Sequence, residues 1–144
     1  MRIRTCSASN ARRADAVAAE RHRILVVDDN AFNLMLLRTL LSPRFEVAEA
    51  ADARQALAEV ARFRPHLVLL DLELPDMYGL TLARQLKADA TTRDIRIVVL
   101  TAHAAESVEA AVRAAGCQGL LTKPVDAASF GDAMLSYLAG VGAV

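Results

Sequence analysis

The sequence predicts an α/β fold: a doubly wound, open parallel sheet made by a (βα)5 alternation, with strand order 2-1-3-4-5. Three observations predict it. Strand and helix patterns alternate five times. Three of the strand patterns are continuous apolar runs, as inner strands buried on both faces read, and two are weaker, as edges read. Four strand ends each deliver a polar residue to the same edge of the sheet.

The first strand is Ile24-Leu25-Val26-Val27, which ends at Asp28. Asn30 can cap the helix that follows, whose stripe reads as Met35, Leu36 and Leu40, with Pro43 beyond its end. Phe45 to Ala50 alternates apolar and polar residues, the pattern of an edge strand. Asp52 can cap a second helix with a stripe of Ala53, Ala56, Leu57, Val60 and Ala61, stopped by Pro65. Leu67-Val68-Leu69-Leu70 is the third strand and ends at Asp71. Leu82, Ala83 and Leu86 mark a third helix. Ile97-Val98-Val99-Leu100 is the fourth strand and ends at Thr101. A fourth helix carries Ala104, Val108, Ala111, Val112 and Ala115, and Gly116 stands at its C′ position. Gly119 to Thr122 is the other edge strand. Asp126 can cap a fifth helix that turns Phe130, Met134 and Leu138 inward.

One domain of this size can bury a core without disulfides. Residues 1–22 read as an N-terminal extension, expected to be disordered or weakly helical, with a targeting role as the lesser reading; residues 23–142 read as the domain. The 17 basic and 17 acidic residues cancel, but unevenly. Residues 1–23 hold six arginines against two acids, so the remainder is acidic. An acidic body argues against direct nucleic-acid binding. Cys6 and Cys117 make no disulfide framework and suit a reducing, cytoplasmic compartment. No apolar stretch reaches the ~18 residues that a membrane span needs.

In such sheets ligands bind beyond the carboxyl ends of the strands, at the switch between strands 1 and 3. Here those ends carry Asp28, Asp29, Asp71, Thr101 and Lys123. At ~4 Å and an effective dielectric near ~20, two like charges repel by about 4 kcal/mol. Three clustered carboxylates must therefore raise their pKa values or take up a cation. Oxygen ligands without His or Cys favour a hard ion such as Mg2+. Asp28 and Asp29 are adjacent and should project differently, one coordinating directly and the other through water.

Val26-Val27-Asp28-Asp29-Asn30, Asp71-Leu72-Glu73-Leu74-Pro75-Asp76-Met77-Tyr78-Gly79, Thr101-Ala102 and Lys123-Pro124 resemble the receiver domain of bacterial two-component response regulators. The resemblance covers roughly residues 23–140 and implies a flavodoxin-like fold. Asp28-Asp29-Asn30 together with Asn33 is also similar to receivers of hybrid kinases and small cell-cycle regulators. With no output domain after the fifth helix, the expectation is a stand-alone, single-domain receiver.

The resemblance implies specific roles. Asp71 would accept a phosphoryl group from a phosphohistidine on a sensor histidine kinase or histidine phosphotransfer protein. Asp28, Asp29, Asp71 and the backbone carbonyl of Glu73 would hold Mg2+. Lys123, beside a Pro124 for which a cis peptide is implied, would pair with one phosphoryl oxygen. Thr101 would donate to another, and Ala102 would leave room for entry. Where the family often has Tyr or Phe, three residues before the lysine, this chain has Leu120. Thr101 would then draw the loop before the fourth helix without an aromatic turning inward. A downstream protein, or a second copy in a homodimer, would read the face of the fourth helix, fifth strand and fifth helix. Glu73 and His103 either tune the lifetime of the phosphorylated state by controlling water or are exposed loop residues. No enzymatic activity is implied beyond self-phosphorylation and autodephosphorylation.

Other classes fit less well. A phosphohydrolase forming an aspartyl-phosphate typically has a second Asp where Glu73 stands, and a cap domain. A flavin module needs a phosphate loop rich in Ser, Thr and Gly after the first strand, and Asp28-Asp29 would repel phosphate. A nucleotide hydrolase needs a G-x-x-x-x-G-K-[ST] loop, which none of the six glycines makes. A phosphorylation-independent scaffold has no need of all four site motifs. Cys117 reads as a small turn or buried residue, and no role falls to His22 or His66.

Overall fold

The computed structural model describes residues 21–143, with side chains to residue 139. The expected extension lies, apart from Arg21 and His22, outside the described residues. Five strands, β1 (Arg23–Val27), β2 (Glu46–Ala50), β3 (Leu67–Asp71), β4 (Arg96–Thr101) and β5 (Gly119–Thr122), alternate with five helices. The helices are α1 (Ala31–Leu41), α2 (Ala53–Phe63), α3 (Gly79–Ala88), α4 (Glu106–Ala114) and α5 (Phe130–Ala143). The strands form one parallel sheet in the order β2-β1-β3-β4-β5, as the apolar runs predict. It is a flavodoxin-like fold.

Both faces of the sheet are covered. Leu25, Val27, Val68, Leu70 and Ile97 pack on Ala53, Ala56 and Val60 of α2 and on Leu82, Ala83 and Leu86 of α3. Val99 packs with Leu80 and with Val112 and Ala115 near α4. On the opposite face Ile24, Val26, Leu67, Leu69, Val98 and Leu100 meet Leu37 and Leu41 of α1 and Phe130 and Met134 of α5. Continuous apolar runs are what this double coverage demands. Among the described residues no helix is long and apolar enough to cross a membrane.

Several local expectations are corrected. Helix α1 buries Leu37 and Leu41, while Met35 and Leu36 of the expected stripe are exposed and Leu40 is half-buried. Six of its eleven residues are Leu or Met, so periodicity alone cannot choose its inner face; contact with Phe130 and Met134 does. Helix α2 turns Leu57 and Ala61 outward. Phe45 precedes β2 and is buried there. Ala104 precedes α4. Asp126 does not cap α5: its carboxylate accepts from Ala128 N–H (3.3 Å) and Ser129 Oγ (2.8 Å) in a separate turn, and Ser129 occupies the position before the helix. The other caps form as expected. Asn30 accepts from Asn33 N–H at 3.0 Å and Asp52 from Gln55 N–H at 2.7 Å. Gly116, at φ 88°, ends α4 with Gly116 N–H to Arg113 O and Cys117 N–H to Val112 O, a Schellman pair.

Before β1, Arg21 donates to the carbonyls of Ser42 (2.5 Å) and Phe45 (2.7 Å). His22 accepts from Glu46 N–H and stacks edge-on against His66 at 5.2 Å.

Candidate functional site

Register sets which side chains meet. Val27 lies beside Ala50 and Leu70, Asp71 beside Leu100, and Thr101 beside Thr122. The residues after β1, at the end of β3 and after β5 therefore converge on the switch point between β1 and β3, where an open α/β sheet leaves its crevice.

Asp28 is 2 % exposed. Its Oδ1 accepts from Asn30 N–H at 2.9 Å. Its Oδ2 accepts from Asn33 Nδ2 at 3.3 Å and Lys123 Nζ at 3.1 Å. Its own N–H donates to Ala50 O at 3.0 Å. Asp29, next along the chain, faces solvent, so the two do project differently. Asp71 lies across the crevice. Its Oδ1 accepts from Glu73 N–H at 3.2 Å and its Oδ2 is 3.6 Å from Lys123 Nζ. Carboxylate oxygens of Asp28, Asp29 and Asp71 all lie within 4.8 Å of one another. Burial pushes the Asp71 carboxyl above its ordinary pKa; the Glu73 N–H and Lys123 oppose the rise, and Asp28 and Asp29 add to it.

The loop after Asp71 is tightly folded. Gly79 N–H donates to Leu72 O at 2.7 Å, and Glu73 and Tyr78 form an antiparallel bridge. A Cβ on Gly79 would come within 2.5 Å of Asp71 O, so only glycine lets α3 begin against the Asp71 backbone.

Three carboxylates face one ammonium. That surplus of negative charge, with one member almost fully buried, fits a small divalent cation bound through oxygen. Asp28, Asp29 and Asp71 could hold it.

Other expected residues stand further off. Thr101 is 7 % exposed, but its hydroxyl accepts from His103 N–H at 3.2 Å and donates to His103 O at 3.3 Å. The side chains of Glu73, Ala102 and His103 are exposed. Leu120 is half-buried against the cluster of Leu72, Leu80, Val99, Val112 and Ala115, behind the site. The Lys123–Pro124 peptide is cis. Two residues had no role in the sequence reading. Asn33 shares Asp28 with Lys123, and its place three residues after a capping Asn was the available signal. Asp76 accepts from the amides of Ala53 and Arg54 in another element, which no local spacing announces.

Known proteins resemble this chain. The model of the response regulator receiver domain matches residues 24–134. The polar-differentiation response regulator DivK of Brucella anthropi is 32% identical over 116 residues, 80% of this chain and 94% of that protein. The response regulator PleD of Caulobacter vibrioides is 43% identical over 105 residues, 72% of this chain but only 23% of PleD. Among solved structures, a CheY-like receiver domain protein of Methanospirillum hungatei superposes with a TM-score of 0.79 at 26% identity, covering 86% of this chain and 98% of that one. A response regulator of Chloroflexus aurantiacus gives 0.78 at 28% identity, covering 83% and 99%. With the motif-bearing strand ends gathered at one crevice and a family match over most of its length, this chain belongs to the response regulator receiver domains, a signalling family of two-component systems.

Proposed function

We propose that the chain is a phosphoacceptor: Asp71 takes a phosphoryl group from a phosphohistidine of a sensor histidine kinase or histidine phosphotransfer protein, and the product signals by binding another protein. The observation that carries this reading is the Asp71 carboxylate, half-buried at a strand end beside two further carboxylates and 3.6 Å from Lys123. An Asp71 oxygen attacks phosphorus, a P–O bond forms, and the P–N bond breaks with its electron pair going to the imidazole. Mg2+ held by Asp28, Asp29, Asp71 and the Glu73 carbonyl would supply positive charge against the incoming phosphoryl oxygens. Lys123 pairs with one of those oxygens as a point charge. Thr101 leaves the His103 backbone to donate to another, drawing the β4–α4 loop with it. Leu120 then follows by repacking against Val99 and Val112, without an aromatic rotation. The face of α4, β5 and α5 is the surface that a target, or a second copy of the chain, reads in the altered state. Glu73 and His103 flank the entry and set how readily water reaches the aspartyl phosphate. Such a relay works in the cytoplasm.

The test is incubation with a small phosphoramidate, with Mg2+ and with EDTA. An acid-stable, base-labile phosphoryl adduct should form only with Mg2+ and should vanish in Asp71→Asn. Absence of the adduct in the wild type, or its survival in Asp71→Asn, refutes the reading. His103→Ala and Glu73→Ala should change the adduct's half-life; unchanged half-lives refute their tuning role.

A further inference from the structure

Two of the site's carboxylates sit on a loop, the third ends a strand, and a further loop carries the Glu73 carbonyl beside it. Asp28 and Asp29 follow β1, Asp71 ends β3, and their oxygens lie within 4.8 Å of one another. Lys123 ties Asp28 to Asp71 from one side, at 3.1 and 3.6 Å. A second tie runs through backbone on the other side. Asp28 N–H donates to Ala50 O at 3.0 Å, which fastens the Asp28 loop to the end of β2. Three residues later α2 begins, and the amides at its start, which have no partner within the helix, point at the β3–α3 loop. Asp76 Oδ1 accepts from Ala53 N–H at 2.9 Å and Oδ2 from Arg54 N–H at 3.1 Å. Asp52 takes the next amide, Gln55 N–H, so the first turn of α2 is satisfied by two carboxylates from two segments.

We propose that Asp76 is a positioning residue for the acceptor site: gripping the first two amides of α2, it holds the loop that runs on from Asp71 and carries Glu73 in place against the loop that carries Asp28 and Asp29. The inference rests on the phosphoacceptor reading for its functional meaning. Asp76 is not a member of the carboxylate cluster and touches no reacting atom. Its grip is rigidly transmitted. Between Asp71 and Asp76 the chain is anchored by buried Leu72 and by Leu74, and just beyond by Met77, the latter two packed on the core that includes Ala53 and Ala56. The Glu73–Tyr78 bridge and the Gly79 N–H bond to Leu72 O close the loop on itself. Moving Asp76 therefore moves Glu73 and its carbonyl. The carboxyl of Asp76 is held below its ordinary pKa, chiefly by the Ala53 N–H, so the grip is charge-assisted. Without it the β3–α3 loop, and the Glu73 carbonyl with it, relaxes away from the Asp28–Asp29 loop in the metal-free protein, and binding a cation then costs the work of bringing it back.

The experiment titrates Mg2+ into the wild type and Asp76→Ala, reading the rate of Asp71 phosphorylation by a small phosphoramidate. The half-saturating Mg2+ concentration should rise about three- to tenfold, the size of one ordinary net hydrogen bond passed on to the site, while the rate at saturating Mg2+ stays the same. Asp76→Asn keeps one accepting oxygen and should shift less, in the same direction. Gly116→Ala destabilises the far end of α4 and should leave the titration unmoved. A metal-free readout accompanies it: amide exchange at Ala53, Arg54 and Gly79 should accelerate in Asp76→Ala. An unmoved titration together with unmoved Gly79 exchange overturns the proposal, as does an equal shift in Gly116→Ala. Should Asp76→Ala not fold, Asp76→Asn decides by the same two measurements. Should the wild type take up no phosphoryl group, the phosphoacceptor reading falls, and Gly79 exchange alone judges the grip.

Discussion

Asp71 and Lys123 sit 3.6 Å apart, yet their removal should act on stability with opposite signs. A carboxyl whose pKa is raised by burial binds its proton more tightly in the folded than in the unfolded protein. Ionised Asp71 therefore weakens the fold above its folded pKa, and that cost fades as pH falls toward the unfolded value. In Mg2+-free buffer near neutral pH, Asp71→Asn should melt above the wild type, with the gap closing as pH drops through the carboxylate range. Lys123→Met leaves the buried Asp28 carboxylate without its ammonium and should lower stability by about 1–3 kcal/mol in urea titrations. A distant histidine obeys the same linkage. His66 Nδ1 accepts from Arg23 N–H at 3.0 Å, which requires a neutral ring. Burial, then the nearby Arg23 and His22, hold its pKa below the ordinary 6.5, against a small opposing pull from Glu46. Its contribution is present above that ordinary value and is lost as pH falls through it toward the folded pKa. His66→Asn keeps an acceptor that does not titrate, so the slope of stability against pH over that window should flatten. A slope equal to the wild type's would show that His66 does not set it. At this scale the carboxylates and the lysine were legible because each ends or follows an apolar run. Asn33 was visible in the motif but its bond to Asp28 was not, and Asp76 acts through amides 22 and 23 residues away that only the folded backbone brings near.

At the scale of elements, apolar periodicity sufficed where a helix carries few large apolar residues. Helices α3 and α4 turn inward the residues that their spacing marks, Leu82, Ala83 and Leu86 in one and Val112 in the other. Helix α1 is too rich in leucine for spacing to choose a face, and the sheet and α5 choose it instead. Leu37→Ala, at a site 3 % exposed, should cost about 2–5 kcal/mol of unfolding free energy. Met35→Ala, at a site 57 % exposed, should stay within about 0.5 kcal/mol. Comparable losses in the two variants would mean that the helix faces the other way. The start of α5 was misread for a different reason. Asp126 has the chemistry of a cap and does close a turn, but that turn ends before the helix begins.

For the whole molecule, topology makes the site. Placing β1 between β2 and β3 sends α1 to one face and α2 to the other, and opens the crevice at the ends of β1 and β3. The fold was legible because strand burial leaves a mark that composition alone carries: continuous runs inside, short or mixed runs at the edges. What the chain does with the crevice turns on whether its acidic groups act together on one cation and one phosphoryl oxygen cluster. The most direct measurement is a crystal structure of the protein grown with Mg2+ and beryllium fluoride, a phosphoryl mimic. The account predicts the metal among Asp28, Asp29 and Asp71, the fluoride on an Asp71 oxygen, Lys123 beside it, and the Thr101 hydroxyl released from the His103 backbone. A crevice that takes up neither metal nor fluoride, or a fluoride bound away from Asp71, would contradict it.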